Sequence, residues 1–110
     1  DVYKFLIYLQ QINVPIFIIT ARPDNIENRK GTEDMLRLLG IKYKFLYMLN
    51  MNLFNSVRKY KEEARKEIFE NKYNIIMSLG DNDWDYGDYG GLGVHIYNDG
   101  EKIKYIKDFL

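Results

Sequence analysis

The amino-acid sequence predicts an α/β fold in which helices cover a mostly parallel sheet, built as a single domain over residues 1–110. Three observations lead there. The apolar run IFIIT at 16–20 reads as a strand buried on both faces, and YNIIMSL at 73–79 is a further strand candidate. Amphipathic helical stripes stand before, between and after the earlier strand candidates. Strand and helix therefore alternate, the pattern of βαβ units.

The elements follow in order. Val2, Phe5, Leu6, Leu9 and Ile12 recur at helical spacing and predict a helix over 2–12, stopped by Asn13 and Pro15. The strand at 16–20 comes next, and Ala21-Arg22-Pro23 is expected to break it. Residues 24–39 read as helix in two pieces. Asp24 and Glu27 have capping-box spacing, Gly31 interrupts, and Thr32 offers a cap for the second piece. Gly40 is a C-terminal stop. Residues 44–49 are a short strand candidate. Val57, Tyr60, Ala64 and Ile68 give a helical stripe over 57–70, with Glu62 and Lys66 an i,i+4 pair on its solvent side. Residues 73–79 form a third strand and 92–97 a fourth, joined by the acid- and glycine-rich loop GDNDWDYGDYGG. Asn98-Asp99-Gly100 is a turn signal. The last ten residues suit either a strand or a helix.

Composition narrows the function. Lys plus Arg and Asp plus Glu are 16 each, so the formal charge is zero and the basic excess of a nucleic-acid binder is missing. There is no cysteine and one histidine, His95, which excludes disulfides, thiolate metal sites and a multi-histidine zinc centre. No apolar run approaches the roughly 20 residues of a membrane span. The lack of cysteine suits the cytosol.

Ligands of parallel sheets bind beyond the carboxyl ends of the strands. That rule nominates Thr20-Ala21-Arg22 and the loop that begins at Gly80. Asp81, Asp83, Asp85 and Asp88 crowd this loop, and hard carboxylate oxygens suit Mg²⁺ or Ca²⁺. A calcium EF-hand fails, because Tyr86 stands where its glycine belongs and Leu92 where its glutamate belongs. A Mg²⁺ site using one or two carboxylates fits better, against the plainer alternative of a solvated acidic turn. Lys61 and Arg65 lie four apart on one helix, a like-charge pair that an anion or acidic cluster would relieve. Thr20 offers a hydroxyl at a strand end, and Arg22 a guanidinium whose fork matches phosphate. His95 falls inside a strand, away from either loop, and reads as structural. Ser56 and Ser78 have no evident histidine partner for a Ser-His-Asp hydrolase.

Together these residues resemble the haloacid dehalogenase-like (HAD) phosphatase superfamily, in its acid-phosphatase branch, subfamily IIIB. The resemblance rests on PIFIITARPDNIENRKGTEDMLRLLGI (15–41) and YKEEARKEIFENKYNIIMSLGDNDWD (60–85). Within them stand an apolar strand ending in Thr20 with Ala21-Arg22, an R-x-x-T at 29–32, L-x-x-x-G-I at 36–41, Tyr60-Lys61-x-x-x-Arg65, and Gly80-Asp81-x-x-x-Asp85. The resemblance implies a Rossmann-like three-layer α/β/α sandwich. It also implies roles: Thr20 hydrogen-bonding the transferring phosphoryl group, Lys61 neutralising its charge, Asp81 as Mg²⁺ ligand with Asp85 supporting or sharing that task. Arg22 and Arg65 serve substrate contact and its support.

The superfamily's Asp-x-Asp pair, nucleophile and general acid/base, is not found after an apolar strand in this sequence outside 81–85. The expectation is therefore an incomplete HAD core lacking its first strand, with the nucleophile upstream of Asp1. In the family that strand lies between those at 16–20 and 75–79, so the chain by itself is expected to be marginally stable and inactive. The expected function is a Mg²⁺-dependent phosphomonoester hydrolase working through an aspartyl-phosphate on a phosphorylated substrate, with neither nucleic acid nor membrane as partner. The alternatives are a catalytically inactive pseudophosphatase or storage/binding protein on the same scaffold and, more remotely, a flavodoxin-like or receiver-like domain.

Overall fold

In the computed structural model the described residues are 2–97 together with the backbone of 103–108. The elements run α1 (Val2–Gln11), β1 (Phe17–Pro23), α2 (Ile26–Leu38), β2 (Phe45–Leu49), α3 (Val57–Glu70), β3 (Met77–Gly80), β4 (Leu92–Ile96) and β5 (Ile103–Asp108). They fold as two compact units, Val2–Asn55 and Ser56–Leu110. The α/β class holds. The strands form two sheets rather than the expected single one: β1 pairs in parallel with β2, and β3 pairs in parallel with β4, which pairs antiparallel with β5. The strand that the resemblance inserts between the segments at 16–20 and 75–79 is not among these five. The open ending resolves as strand, and the turn expected at Asn98-Asp99-Gly100 lies outside the described residues.

In the first unit, Leu36 and Ile41 from the end of α2 pack with Leu46 and Met48 of β2, and Leu6, Ile7, Ile18 and Tyr43 close around them. The end of α2 explains the L-x-x-x-G-I pattern. Gly40 turns left-handed at φ 72°, its N–H donates to Arg37 O, and the Ile41 N–H donates to Leu36 O. This paired closure needs a residue tolerant of positive φ, and it brings Leu36 and Ile41 together as its hydrophobic contact.

Two expectations change here. First, α2 is one helix. Gly31 weakens it without breaking it, because a glycine costs only about 1 kcal/mol in a helix interior. Thr32 is buried inside α2 and donates to Asn28 O, so it caps nothing. The cap is Asn25, whose side chain accepts from Asn28 N at 2.8 Å, while Asp24 is held by Arg29. Second, β1 runs on through Ala21-Arg22-Pro23. Ile19 pairs with Tyr47 but Pro23 with Leu49, so the ladder slips between them. Four steps along β1 match two along β2, which makes Thr20, Ala21 and Arg22 a bulged stretch rather than a strand end.

In the second unit, α3 occupies the expected residues. Ser56 caps it by accepting from Lys59 N, and one face buries Tyr60, Ala64 and Ile68. The ion pair recorded along its surface is Lys59 with Glu63. β3 is shorter than expected, starting at Met77 and running into Gly80. Gly91 has φ 66°, and a Cβ there would lie 2.5 Å from Ile75 O, so only glycine lets the strand connection pass. Among the described residues no helix is long and apolar enough to cross a membrane.

Candidate functional site

Helix periodicity organises the second unit. Arg58, Lys61 and Arg65 stand at i, i+3 and i+7 of α3, hence on one face. Each engages the acidic loop that follows β3. Arg58 forms an ion pair with Asp83 at 3.0 Å, and its guanidinium lies 5.9 Å from the centre of the Trp84 ring. Lys61 Nζ donates to Asp85 Oδ1. Arg65 reaches past both into the loop's main chain: Nη1 donates to Trp84 O at 2.9 Å and Nε to Asp88 O at 3.2 Å. The like-charge pair anticipated on α3 is thus offset by the acidic loop.

The Lys61–Asp85 pair is nearly dry, with side chains 11% and 8% exposed. Burying two charges costs several kcal/mol each unless their remaining polar atoms are also satisfied. Asp85 meets this condition because its Oδ2 accepts from Asn82 N at 3.0 Å. It also needs room. A Cβ on Gly80 would fall 2.0 Å from Asp85 Cβ, so Asp85 packs where only a glycine permits it. The Gly80-Asp81-x-x-x-Asp85 pattern therefore has a steric meaning: the glycine admits the second aspartate.

Arg65 is 3% exposed, and desolvation lowers its pKa from the usual value of arginine. An arginine stays charged throughout the working range of proteins. Its partners are carbonyl groups of the loop rather than solvent. Tyr86 follows Asp85, and its hydroxyl lies 3.0 Å from Nδ1 of His95 in β4. Burial, aided by the nearby charges of Asp83 and Asp85, pushes its phenol pKa upward. His95 lies in β4 as expected, yet it touches the acidic loop through Tyr86 instead of standing apart from it. Its ring also meets Tyr97 edge-on at 5.2 Å.

Asp81 is the first residue beyond β3 and is exposed, its Oδ1 accepting from Asn82 Nδ2 at 2.9 Å. No group of three or more His, Cys, Asp or Glu side chains among the described residues is placed to hold a metal ion. Mg²⁺ keeps several waters and needs only one or two carboxylates. Asp81, an exposed hard-oxygen donor at the carboxyl end of a parallel strand, fits that requirement. Asp85, with Lys61 on one oxygen and Asn82 on the other, fits better as a support for the loop than as a direct ligand.

Thr20 and Arg22 belong to the other unit. The Arg22 N–H donates to Thr20 Oγ1 at 3.3 Å, closing the bulge of β1 on itself. The Arg22 guanidinium donates to Thr32 Oγ1 at 3.1 Å, tying the bulge to α2. Arg29 grips Asp24 through two nitrogens and reaches Leu46 O. The hydrogen bond with Asp24 raises its pKa. The R-x-x-T pair at 29–32 thus anchors α2 to the segments flanking β1 and to β2.

Lys61, Arg65, Asp81 and Asp85 are brought together in one unit, and Thr20 and Arg22 in the other. The sequence reading missed Arg58, whose signal is its place three residues before Lys61, which completes the cationic stripe. Asp83 stood only among the crowded carboxylates, and Thr32 only as a cap and in the R-x-x-T pattern.

A sequence model of the family described as HAD superfamily, subfamily IIIB (Acid phosphatase) matches residues 1–107. No curated protein and no solved structure matches the chain.

Proposed function

This chain belongs to the HAD superfamily, subfamily IIIB, the acid phosphatases, and on that premise we propose that it carries the substrate- and metal-binding half of a Mg²⁺-dependent phosphomonoester hydrolase. The observation that supports this reading is the buried Lys61–Asp85 pair next to the exposed Asp81 at the carboxyl end of β3. Phosphoryl transfer demands positioning and charge stabilisation above all. Lys61 is proposed to neutralise the phosphoryl oxygens; for Thr20 and Arg22, the roles of phosphoryl hydrogen bond and substrate contact rest on the family alone. Asp81 would hold Mg²⁺, which supplies further charge neutralisation on the phosphoryl group when bound. The reading assigns the aspartyl-phosphate nucleophile to an Asp-x-Asp pair outside these 110 residues.

The test is phosphate release from p-nitrophenyl phosphate by the full-length protein, with Mg²⁺ and with EDTA. Release should require Mg²⁺ and fall at least about a hundredfold in Asp81→Asn and in Lys61→Met, in line with the loss of a transition-state charge partner. Release that survives both substitutions would sink the proposal. Mg²⁺ binding with no turnover by a full-length protein lacking Asp-x-Asp would favour a non-catalytic scaffold. The 110-residue chain alone is expected to release no phosphate.

A further inference from the structure

We infer that Arg65 is a positioning residue that clamps the main chain of the acidic loop through its guanidinium fork, so that the loop holds its shape with or without a bound metal. The inference stands apart from the phosphatase reading, because it concerns what shapes the loop and not what the loop acts on. Four carboxylates, those of Asp81, Asp83, Asp85 and Asp88, fall within eight residues. Such a loop ordinarily needs solvent or a cation to hold its charges together. Here the cation enters from α3. Arg58 and Lys61 take the side chains of Asp83 and Asp85, whereas Arg65 takes main-chain oxygens on either side of Tyr86 and Gly87, at Trp84 and at Asp88.

That difference gives Arg65 its particular task. A side-chain ion pair fixes one carboxylate. A guanidinium fork bound to two carbonyls four residues apart fixes the path of the chain between them. The chain closes tightly around the fork. A Cβ on Gly87 would lie 3.1 Å from Arg65 Nη2, and a Cβ on Gly90 would lie 3.3 Å from its Cδ. Gly87 thus makes room for the arginine, while a Cβ on Gly90 would first meet Ser78 Oγ at 2.8 Å and Gly87 O at 2.9 Å. Arg65 is also nearly fully buried, and a buried charge of this kind persists only where its donors are well used. Lysine, a point donor on a flexible stem, cannot span both carbonyls.

Trp84 is the single tryptophan of these 110 residues and lies within the held segment. The experiment measures acrylamide quenching in the full-length protein with any tryptophan outside these residues replaced by phenylalanine, so that the fluorescence reports on the loop. Arg65→Lys keeps the charge and the alkyl stem, and it should raise the quenching constant at least about two-fold while the far-UV helix signal is retained, as for a local opening. EDTA added to the wild-type protein should leave quenching unchanged. Arg65→Ala should open the loop further, and free guanidinium ion well below its denaturing range should restore protection. Arg58→Ala, which removes a cation near Trp84 but no carbonyl contact, should not be rescued in this way. Unchanged quenching in Arg65→Lys overturns the inference. So does an EDTA effect on the wild type equal to that of Arg65→Lys, which would make a metal the organiser. Loss of the helix itself in Arg65→Lys also overturns it, since Arg65 would then serve the core rather than the loop. None of these readouts involves substrate or turnover, so their outcome and that of the phosphatase test are independent.

Discussion

Lys61 on α3 and Asp85 in the acidic loop, 24 positions apart in sequence, form an ion pair almost entirely shielded from water. Removing one member leaves the other charged and buried without its counter-charge. Lys61→Met and Asp85→Asn should therefore each destabilise the fold by about 3–5 kcal/mol. The double variant Lys61→Met/Asp85→Asn should cost clearly less than the sum of the singles. Urea unfolding of the four proteins measures this coupling, and additive costs would show that the pair is not buried as described.

Gly80→Ala should push Asp85 out of its place, since the added methyl would sit 2.0 Å from Asp85 Cβ. The expected result is a destabilisation of at least about 1–3 kcal/mol, the cost of overpacking, together with loss of the proposed phosphatase activity in the full-length protein. Wild-type activity in a folded Gly80→Ala variant would contradict the packing.

Gly31→Ala should act in the opposite direction. Gly31 lies inside α2, and a Cβ there would meet nothing within 4 Å. The substitution should stabilise the chain by about 0.5–1 kcal/mol, the usual helix-interior difference between the two residues. A higher thermal midpoint checks it, and a lower one would mean that the helix does break at Gly31.

Lys72→Gly should stabilise by about 1 kcal/mol, the strain of holding a residue with a Cβ in the left-handed region. Lys72 has φ 73° and closes α3 with the same paired hydrogen bonds that Gly40 supplies at the end of α2: Lys72 N to Phe69 O and Tyr73 N to Ile68 O. Its charge is not what the position uses, and Lys72→Ala should bring no comparable gain in the same denaturation assay.

Tyr86 carries the pH prediction. Its phenol is held protonated beyond the ordinary value, first by burial and then by the carboxylates of Asp83 and Asp85. The folded-state pKa is raised, so the stabilisation is fully present below the unfolded value of about 10 and is lost as pH rises through the folded one. The stability difference between the wild type and Tyr86→Phe should hold constant up to about pH 9 and then move against the wild type. A difference that stays flat to strongly alkaline pH would refute the shift.

How much of this was legible in the sequence follows from the range of the interactions. Helix α3 was readable because its stripe of Val57, Tyr60, Ala64 and Ile68 is local, although its cap, Ser56, was not singled out. Gly40 announced the stop of α2 for a similarly local reason. Asp24 misled as a cap because its carboxylate is claimed by Arg29, and Asn25 takes the role one position later. Gly31 misled because a single glycine is a cost and not a stop. Lys72 could not be seen as a terminator, since nothing in its chemistry favours positive φ. Of the site, Lys61, Arg65, Asp81 and Asp85 were readable from type and spacing. Their division of labour was not, because it depends on which oxygen, side-chain or main-chain, each cation meets across the fold. The split into two sheets was also hidden, as strand candidates do not announce their neighbours.

The contact between Gly80 and Asp85 has a consequence for descent. A substitution at position 80 that adds any side chain meets the Cβ of residue 85, an atom that every residue but glycine carries. Position 80 therefore cannot drift while the loop keeps this path, whatever the chemistry of residue 85. Across relatives that share this loop, position 80 should stay glycine, and a filled position 80 would mark a loop that has left the path on which the buried pair depends.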